Sequence, residues 1–290
     1  MHRPVCITYD STCDLTPQLL ERFRIRTIPL TIQSGERVFP DDGSYTSADL
    51  YDGYRRDGTL PKTSAISPEE FRSFFSAILD EGYDIVHIDI SSELSCTCQN
   101  AVLAAQELAE QGAVHVVDSR QLSTGGGLLA LQGAKLRDSG MAAADIAAEL
   151  RRLAPHSDTS FVLDTLEYMW KGGRCSGVTA LGANMLKLKP SLEIRDGKLV
   201  VCKKYRGAME KVYRQYVTER LADKAVVDDW AFITHSGEVS EKTLQELTAL
   251  VQELAPFKEV FVTQAGCTVS SHCGPGTLGV LFLRQPAPAE

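Results

Sequence analysis

The chain has 290 residues, of which 43% are hydrophobic and 23% are charged, and its formal net charge is −8. These values are typical of a soluble globular protein with two domains, and the negative charge argues against a general nucleic-acid binder. No apolar stretch approaches the roughly 20 residues of a membrane span, and the N-terminal apolar segment is too short for a secretory signal. We therefore expect a cytoplasmic protein without stable membrane insertion.

The first half alternates short apolar runs with amphipathic segments, which predicts a parallel α/β sheet. The predicted strands cover 5–9, 27–33, 83–90 and 113–119. The predicted helices cover 18–25, 48–56, 67–82, 99–112 and 142–155, and residues 120–140 are predicted as a turn that leads into a further helix. Thr16-Pro17 and Ser67 are typical helix starts, because a hydroxyl can cap the first turn and proline fits its first position. Residues 34–47 are rich in turn formers and are predicted as an irregular excursion.

The pattern changes after His156. Strands are predicted at 159–164, 190–207, 229–237, 259–266 and 277–283, with helices near 207–223 and 239–255. Asp196-Gly197 is a typical hairpin turn within the second of these strand regions. We therefore predict an α/β protein with an N-terminal parallel-sheet domain (1–156), a C-terminal α+β domain with a mixed or antiparallel sheet (157–284), and a tail (285–290).

Four polar turns of the first half, at 10–14, 63–67, 91–97 and 118–127, are assigned to the carboxyl ends of strands. Ligands of open parallel sheets gather at the carboxyl ends of the strands. Hydroxyls beside helix-start N–H groups can bind one carboxylate or phosphate, which makes these turns a candidate anion site. The alternative is that each hydroxyl only caps the helix that follows it.

His272 lies directly before Cys273 and Gly274-Pro275-Gly276, and four interpretations are open. It is a metal ligand with Cys267 and Cys273, a catalytic base, a donor to a ligand, or an ordinary turn residue. The cysteine spacing lacks the paired pattern of a structural zinc site, which disfavours metal. As a base, His272 would serve a hydrolase or acyltransferase with Ser95 or Ser119 as nucleophile and Asp118 as the third group.

Other enzyme motifs are absent from the sequence, including the phosphate-binding P-loop, the nucleophile elbow and the HExxH zinc motif. The glycine run "STGGG" (123–127) leaves a phosphosugar or nucleotide binder as a third hypothesis. A basic segment supports the same idea. Residues 171–214 carry eleven Lys and Arg against three acids, so this segment has a net charge of +8 and the rest of the chain −16. Such a segment is either a solvated face or a docking surface for an anionic partner.

A series of short stretches resembles the DegV family, the fatty-acid-binding subunits of bacterial fatty acid kinase. The matching stretches are "ITYDSTCDL", "TIPLTI", "TSAISPEEF", "DISSELSCTCQNA", "VVDS", "GGG", "YMWKGGRCS", "LKLKPSLEIRDGKL", "KKYRG" and "HCGPGTLGV". They extend over essentially the whole chain and occur in the family's order.

This resemblance implies two domains that enclose one long-chain fatty acid. The protein is then not an enzyme by itself and needs no cofactor beyond that ligand. A separate ATP-dependent kinase converts the bound carboxylate into an acyl phosphate for phospholipid metabolism.

The resemblance also implies roles for individual residues. The carboxylate is expected to contact Thr63, Ser95 and His272. Supporting turns are expected at Ser64, Ser92, Thr97 and Gly274. Arg174 and Arg206 are expected on the face that meets the kinase or the new phosphoryl group. No catalytic residue and no metal ligand is expected.

The chain departs from the family pattern at three places. Cys96 stands where members usually have glycine, and a positive φ there would strain Cys96 and shift the Ser95 hydroxyl. The stretch 63–67 lacks the usual proline. Gly207 follows Arg206 where the family has threonine, which weakens the assignment of that arginine. These departures leave the preferred acyl chain length open.

Overall fold

The computed structural model describes residues 3–179, 188–222 and 224–285. Lys187 of the basic segment and residues 286–290 of the predicted tail lie outside the described residues. The described strands are β1 (Val5–Asp10), β2 (Ile25–Ile28), β3 (Thr31–Ser34), β4 (Arg37–Pro40), β5 (Lys62–Ser64), β6 (Asp84–Asp89), β7 (Val114–Asp118), β8 (Ser157–Val162), β9 (Lys189–Arg195), β10 (Lys198–Tyr205), β11 (Val226–His235), β12 (Glu259–Gln264) and β13 (Leu278–Arg284). The described α-helices are α1 (Pro17–Phe23), α2 (Ser47–Asp57), α3 (Pro68–Asp80), α4 (Thr97–Glu107), α5 (Thr124–Asp138), α6 (Ala143–Leu153), α7 (Glu167–Gly172), α8 (Ser176–Thr179), α9 (Met209–Leu221), α10 (Glu241–Leu254) and α11 (Cys267–Cys273).

The first sheet is parallel throughout, with strand order β2-β1-β6-β7. Its strands are largely buried because helices cover both faces, which explains their near-continuous apolar sequences. Ile7 and Tyr9 of β1 face the side covered by α5 and α6. Cys6 and Ile85 face the side covered by α3 and α4. The predicted parallel α/β domain is confirmed.

The predicted strand 27–33 is wrong as a single element. It divides at Pro29 into β2, in the parallel sheet, and β3, in a separate three-stranded sheet of order β4-β3-β5. Proline has no N–H to donate to a neighbouring strand, so pairing stops there and the chain changes sheet. Two predicted turn regions supply the other strands. β4 lies within 34–47, and β5 includes Thr63 and Ser64, paired antiparallel with β3.

The second sheet has six strands in the order β10-β9-β8-β13-β11-β12. Only the β11–β12 pair is parallel among the described pairs of this sheet. The predicted mixed sheet is therefore confirmed. The predicted hairpin is also confirmed: Asp196 (φ 50°) and Gly197 (φ 82°) form the turn between β9 and β10. Two positive φ angles are the conformation that the Asp-Gly pair favours.

Helix α5 lies between the two sheets and contacts β1 and β6 of the first and β8 and β13 of the second. Its residues are buried from Thr124 to Ala134 with the exception of Gln132, as expected for a segment made almost entirely of apolar residues and glycine. Its glycines allow the close approach. A Cβ at Gly125 would collide with the Thr159 side chain of β8, and a Cβ at Gly126 would collide with the Tyr9 side chain of β1. The first two glycines of the "GGG" run therefore allow α5 to pack closely against strands of both sheets.

Candidate functional site

A cavity of about 360 Å³ lies between the two sheets, at the carboxyl ends of β6 and β7. Its volume falls within the usual range for small-molecule sites, about 300–1,000 Å³. Most of the wall is apolar. Its main apolar side chains are Leu30, Ile90, Leu94, Leu122, Met169 and Leu199. They come from both halves of the chain and belong largely to one hydrophobic cluster that joins the halves.

Polar groups line the same cavity at Thr63, Ser95, His272 and Arg174. Thr63 Oγ1 on β5 and His272 Nε2 on α11 are 3.0 Å apart and share a hydrogen bond. The Ser95 hydroxyl lies at the start of α4, where its oxygen is 2.7 Å from Thr97 Oγ1 and accepts from the Thr97 N–H. The cavity thus combines a mainly apolar wall with a few hydrogen-bonding groups.

Burial governs the charge of His272. Desolvation, followed by the nearby Arg174 guanidinium, lowers the pKa of His272 from its usual value of 6.5 to about 4. The imidazole is therefore neutral at physiological pH. Nδ1 is buried and has no hydrogen-bond partner among the described residues. It lies against Gly172, where an added Cβ would come within 2.5 Å of this nitrogen. The first glycine of "KGGRCS" therefore makes room for the imidazole ring.

Helix α11 carries Val269, His272 and Cys273 of the cavity wall, and two carboxylates hold its first turn. Asp14 Oδ1 accepts from Gly266 N at 2.8 Å. Asp41 accepts from Cys267 N at 2.8 Å and from Thr268 N at 3.0 Å. Burial raises the pKa of Asp14 to about 8. The roles of these two aspartates were missed by sequence reasoning, although Asp14 lies within the polar turn 10–14 that follows the first apolar strand.

The four polar turns contribute unequally to the cavity. The stretches 63–67 and 91–97 each supply several lining residues, 118–127 supplies only Leu122, and 10–14 supplies none among the described lining residues. Among the described lining residues, the candidate anion site is therefore supplied mainly by two of the four turns. In the 10–14 turn the carboxylate of Asp10 accepts from Thr12 N and from Ile90 N. The N–H groups of Thr12 and Ile90 therefore already donate to Asp10 and are not available to an anionic ligand.

The residues expected in supporting turns occupy different places. Ser64 lines the cavity. Ser92 is exposed and donates to Asp118, and Thr97 is buried beside Ser95. Gly274 (φ 75°) ends α11, and a Cβ there would come within 2.6 Å of the Tyr168 ring. Glycine is required at that position both by the backbone angle and by the close contact.

Cys96 is accommodated without strain. Its φ is −78°, outside the left-handed region, so the condition under which it would displace Ser95 is not met. The Cys96 side chain lines the cavity directly beside Ser95.

Arg174 and Arg206 are exposed, and neither has a carboxylate partner within 4 Å among the described residues. Some cations of the basic segment are paired, such as Lys171 with Glu167 and Lys203 with Glu219. Lys204, Lys211 and Arg214, like Arg174 and Arg206, make no ion pair among the described residues. Arg174 also lines the cavity, where its Nη1 donates to Gly172 O at 2.7 Å. Arg206 follows directly after β10.

The serines expected for a hydrolase share no hydrogen bond with His272 among the described residues. Ser119 is buried and bonded to Tyr9, while Asp118 accepts from Ser92 and from Arg120 N. The hydroxyl in contact with His272 is that of Thr63.

The described residues contain no group of three or more His, Cys, Asp or Glu side chains arranged to hold a metal ion. Within the same residues, no helix is both long and apolar enough to cross a membrane.

Comparisons with known proteins extend over nearly the whole chain. A family model described as an uncharacterised protein of the DegV family matches residues 4–285. A DegV domain-containing protein of Deinococcus radiodurans is 30% identical over 282 residues, which cover 95% of this chain and 97% of that protein.

Two solved structures are also similar to this chain over nearly its whole length. A DegV family protein from Thermus thermophilus, described as binding fatty acid, has 30% identity and a TM-score of 0.85, covering 97% of this chain and 100% of its own. A protein from Thermotoga maritima, described as having a fatty acid binding function, has 26% identity and a TM-score of 0.84, covering 98% and 100%.

Proposed function

The chain belongs to the DegV family, and from this premise we propose that it binds one long-chain fatty acid in the cavity between its sheets. The observation that carries this proposal is the cavity itself: a mainly apolar space of about 360 Å³ with hydroxyl and imidazole groups on its wall. The apolar wall suits an acyl chain, because each buried methylene contributes about 0.8 kcal/mol. The polar groups suit a single carboxylate.

The carboxylate is proposed to accept hydrogen bonds from Thr63, Ser95 and His272. A buried carboxylate needs such donors, since removing its charge from water without them is costly. The neutral imidazole can donate from Nε2, the nitrogen that now contacts Thr63. These three neutral donors suffice for one carboxylate, so Arg174 is not needed to hold the lipid.

Mass spectrometry of organic extracts tests this function directly. Protein purified under native conditions should release a long-chain fatty acid in a stoichiometry near one per chain. After removal of the lipid, the protein should bind added fatty acid at micromolar concentrations. If extracts contain no fatty acid and the lipid-free protein binds none, the proposed function is wrong.

We further propose that the protein presents its ligand to a separate ATP-dependent kinase, which forms an acyl phosphate for phospholipid metabolism in a bacterial cytoplasm. The unpaired cations support this role. Arg174 lies both at the cavity and at the surface, so it is available to an anionic phosphoryl group near the head group. Guanidinium binds phosphoryl oxygens with two parallel hydrogen bonds, which a lysine does not provide.

The two other candidate functions lack a supporting observation. A serine hydrolase needs a nucleophile bonded to His272 and an acceptor that orients the ring, and neither Ser95 nor Ser119 makes such a bond among the described contacts. The phosphosugar or nucleotide hypothesis depended on "STGGG" and on the basic segment 171–214. An added Cβ at Gly125 or Gly126 would collide with Thr159 or Tyr9, so close packing accounts for these glycines, and the basic segment is assigned above to the kinase.

A further inference from the structure

A pocket of about 280 Å³ lies at the surface where the two halves of the chain meet. The β7–α5 loop, the segment that leads into β8, the β9–β10 hairpin and the end of β13 form its walls. Its volume is close to the lower end of the usual range for small-molecule sites, about 300–1,000 Å³. Its described lining includes none of Thr63, Ser95, His272 and Arg174. The pocket is therefore separate from the cavity proposed for the fatty acid.

Three arginines line this pocket, Arg120 from the first half of the chain and Arg195 and Arg284 from the second. Asp196 is the one carboxylate among the described lining residues, so the lining side chains carry a net charge of +2. We call this site the arginine pocket. A concave site lined mainly by one sign of charge attracts a ligand of the opposite sign. The arginine pocket is therefore suited to an anion.

Two largely buried carboxylates hold the second-half arginines without using all of their donors. Glu193 accepts from Arg195 Nε, and Asp158 pairs with Arg284 Nε at 3.5 Å. Both carboxylates also pair with Arg220, so three arginines share two carboxylates. The two terminal nitrogens of Arg195 make no hydrogen bond among the described residues. They are available to a ligand in the pocket.

Arg120 has no partner for its guanidinium among the described residues. Its backbone N–H donates to Asp118 Oδ1 at 2.8 Å, which holds the loop. The hairpin lies close to the guanidinium, because an added Cβ at Gly197 would be 3.5 Å from Arg120 Nη2. Ser91 Oγ donates to Gly197 O at 2.8 Å and ties this hairpin to the first half. Arg120 therefore lies beside the hairpin that carries Arg195.

Gln121 adds an acceptor that is not in use. It lines the pocket and is only 3% exposed. Its Nε2 donates to Ala154 O at 3.0 Å, whereas its Oε1 has no hydrogen-bond partner among the described residues. A buried acceptor without a donor costs free energy. A ligand that brings an O–H group to this oxygen would remove that cost.

We propose that the arginine pocket binds the phosphomonoester group of a small hydroxyl-bearing molecule of the sugar phosphate class. Guanidinium groups suit phosphoryl oxygens because they stay charged and donate two parallel hydrogen bonds. Pro155 and Ile194 line the same pocket and provide apolar contact for the carbon atoms of the ligand. Gln121 Oε1 accepts from a hydroxyl of that ligand.

The site is additional to the lipid cavity and does not rest on the proposed function. It also shares no described lining residue with the glycine run 123–127, whose first two glycines are accounted for by close packing.

Isothermal titration calorimetry of the whole chain in phosphate-free buffer tests the site, with ribose 5-phosphate as the probe. The Kd should lie below about 1 mM at low salt and should rise with ionic strength. Ribose should not bind, because it lacks the phosphate, and methyl phosphate should bind more weakly, because it lacks hydroxyls. A Kd above 1 mM, or equal binding of ribose, would overturn the inference. Equal affinity for methyl phosphate would show that no hydroxyl is recognised and would overturn the ligand class.

Substitution of the arginines tests their role. Arg120→Gln and Arg195→Gln should each raise the Kd about tenfold or more, because each removes charged hydrogen bonds to the phosphate. Arg195→Gln covers the case in which Arg120→Gln fails to fold. Arg152→Gln is the matched control. It removes the same charge from an exposed residue of α6 that pairs with Glu149 and lies outside the described lining. An unchanged Kd in both pocket variants, or an equal effect of Arg152→Gln, would contradict the assignment.

Asp196→Asn should act in the opposite direction and lower the Kd. It removes the negative charge nearest the proposed phosphate, and asparagine tolerates the positive φ of this position (50°). A higher Kd in this variant would show that the pocket does not bind through its positive charge.

Failure of this inference is distinguishable from failure of the proposed function. Protein that binds fatty acid but not ribose 5-phosphate overturns only the arginine pocket. Protein that binds ribose 5-phosphate but no fatty acid overturns only the lipid proposal.

Discussion

Burial decides the chemistry of His272 more than its intrinsic basicity does. Its pKa is lowered to about 4, so the ring is a neutral hydrogen-bonding group at physiological pH. Its Nδ1 lies against Gly172 and its Nε2 contacts Thr63, so both sides of the ring are fixed by residues that are distant in sequence. Neither ring nitrogen contacts a carboxylate that could orient His272 as a catalytic base among the described residues. The contacts agree instead with the proposed role of His272 as a hydrogen-bond donor to a ligand.

Removing either head-group hydroxyl should weaken lipid binding without unfolding the protein. A hydrogen bond to a charged acceptor contributes about 1.5–3 kcal/mol, so Thr63→Ala and Ser95→Ala should each raise the Kd about tenfold or more. Titration of lipid-free protein with a fluorescent fatty acid measures this change. Ser92→Ala is the control, because its exposed hydroxyl bonds Asp118 and lies outside the described cavity lining. Unchanged affinity in both test variants would place the head group elsewhere.

Arg174→Ala should keep the lipid bound but slow phosphorylation by the partner kinase. Arg174 is proposed to meet phosphoryl oxygens, and the loss of such a charged contact should lower the rate at least about tenfold. Acyl phosphate formation at several salt concentrations provides the measurement, and wild-type transfer should weaken as salt rises. Lys171→Ala is the matched control, since Glu167 already neutralises Lys171. Full-rate transfer by Arg174→Ala, or loss of its lipid, would contradict the docking role.

Among the elements, α5 and α11 join the two halves of the molecule. Helix α5 packs between the sheets through glycines that bring its backbone against β1 and β8. Helix α11 carries part of the cavity wall, and Asp14 and Asp41 from the first half hold its first turn. The cavity therefore depends on contacts between segments that lie far apart in sequence.

Gly126→Ala should destabilise the protein by about 1–3 kcal/mol, because the new methyl group collides with the buried Tyr9 side chain. Denaturant unfolding followed by circular dichroism measures this loss. Gly53→Ala in α2 is the control. Its Cβ would meet only ordinary contacts, the nearest at 3.4 Å, so the gain in helix propensity should leave stability equal or slightly higher. Equal stability of both variants would show that α5 can shift away from β1.

For the whole molecule, buried carboxylates link stability to pH. Burial raises the pKa of Asp14 to about 8 and that of Asp10 to about 7, from a usual value of 3.8. In the folded state these groups keep protons that the unfolded chain releases above pH 4. Their contribution to stability is therefore complete below pH 4 and is lost as the pH rises towards 7–8.

Asp14→Asn should remove the Asp14 part of this dependence. The amide oxygen can still accept from Gly266 N, but the side chain no longer ionises. The free energy of unfolding of the variant, relative to wild type, should increase as the pH rises from 4 to 8. Asp42→Asn is the control. Ser44 lowers the pKa of this exposed carboxylate, so its effect should be constant above pH 5. A constant difference for Asp14→Asn over the same range would contradict the raised pKa.

The amino-acid sequence alone determined the family resemblance, the parallel first sheet, the mixed second sheet and the Asp-Gly hairpin. These features depend on hydrophobic periodicity and on turn chemistry, both of which are local in the chain. It also drew attention to Thr63, Ser95 and His272, whose roles stay predictions. It did not reveal the division of strand 27–33 at Pro29 or the strand that contains Thr63.

Only the tertiary structure decided which of these residues meet. Thr63 and His272 share a hydrogen bond across 209 positions of sequence, and Gly172 packs on the same imidazole. Leu122 from the first half and Leu199 from the second line the same cavity. Sequence patterns indicate which side of a helix or strand is apolar, but the size and the lining of a cavity depend on the distances between those helices and strands. Those distances are set by the side chains of both packed partners together.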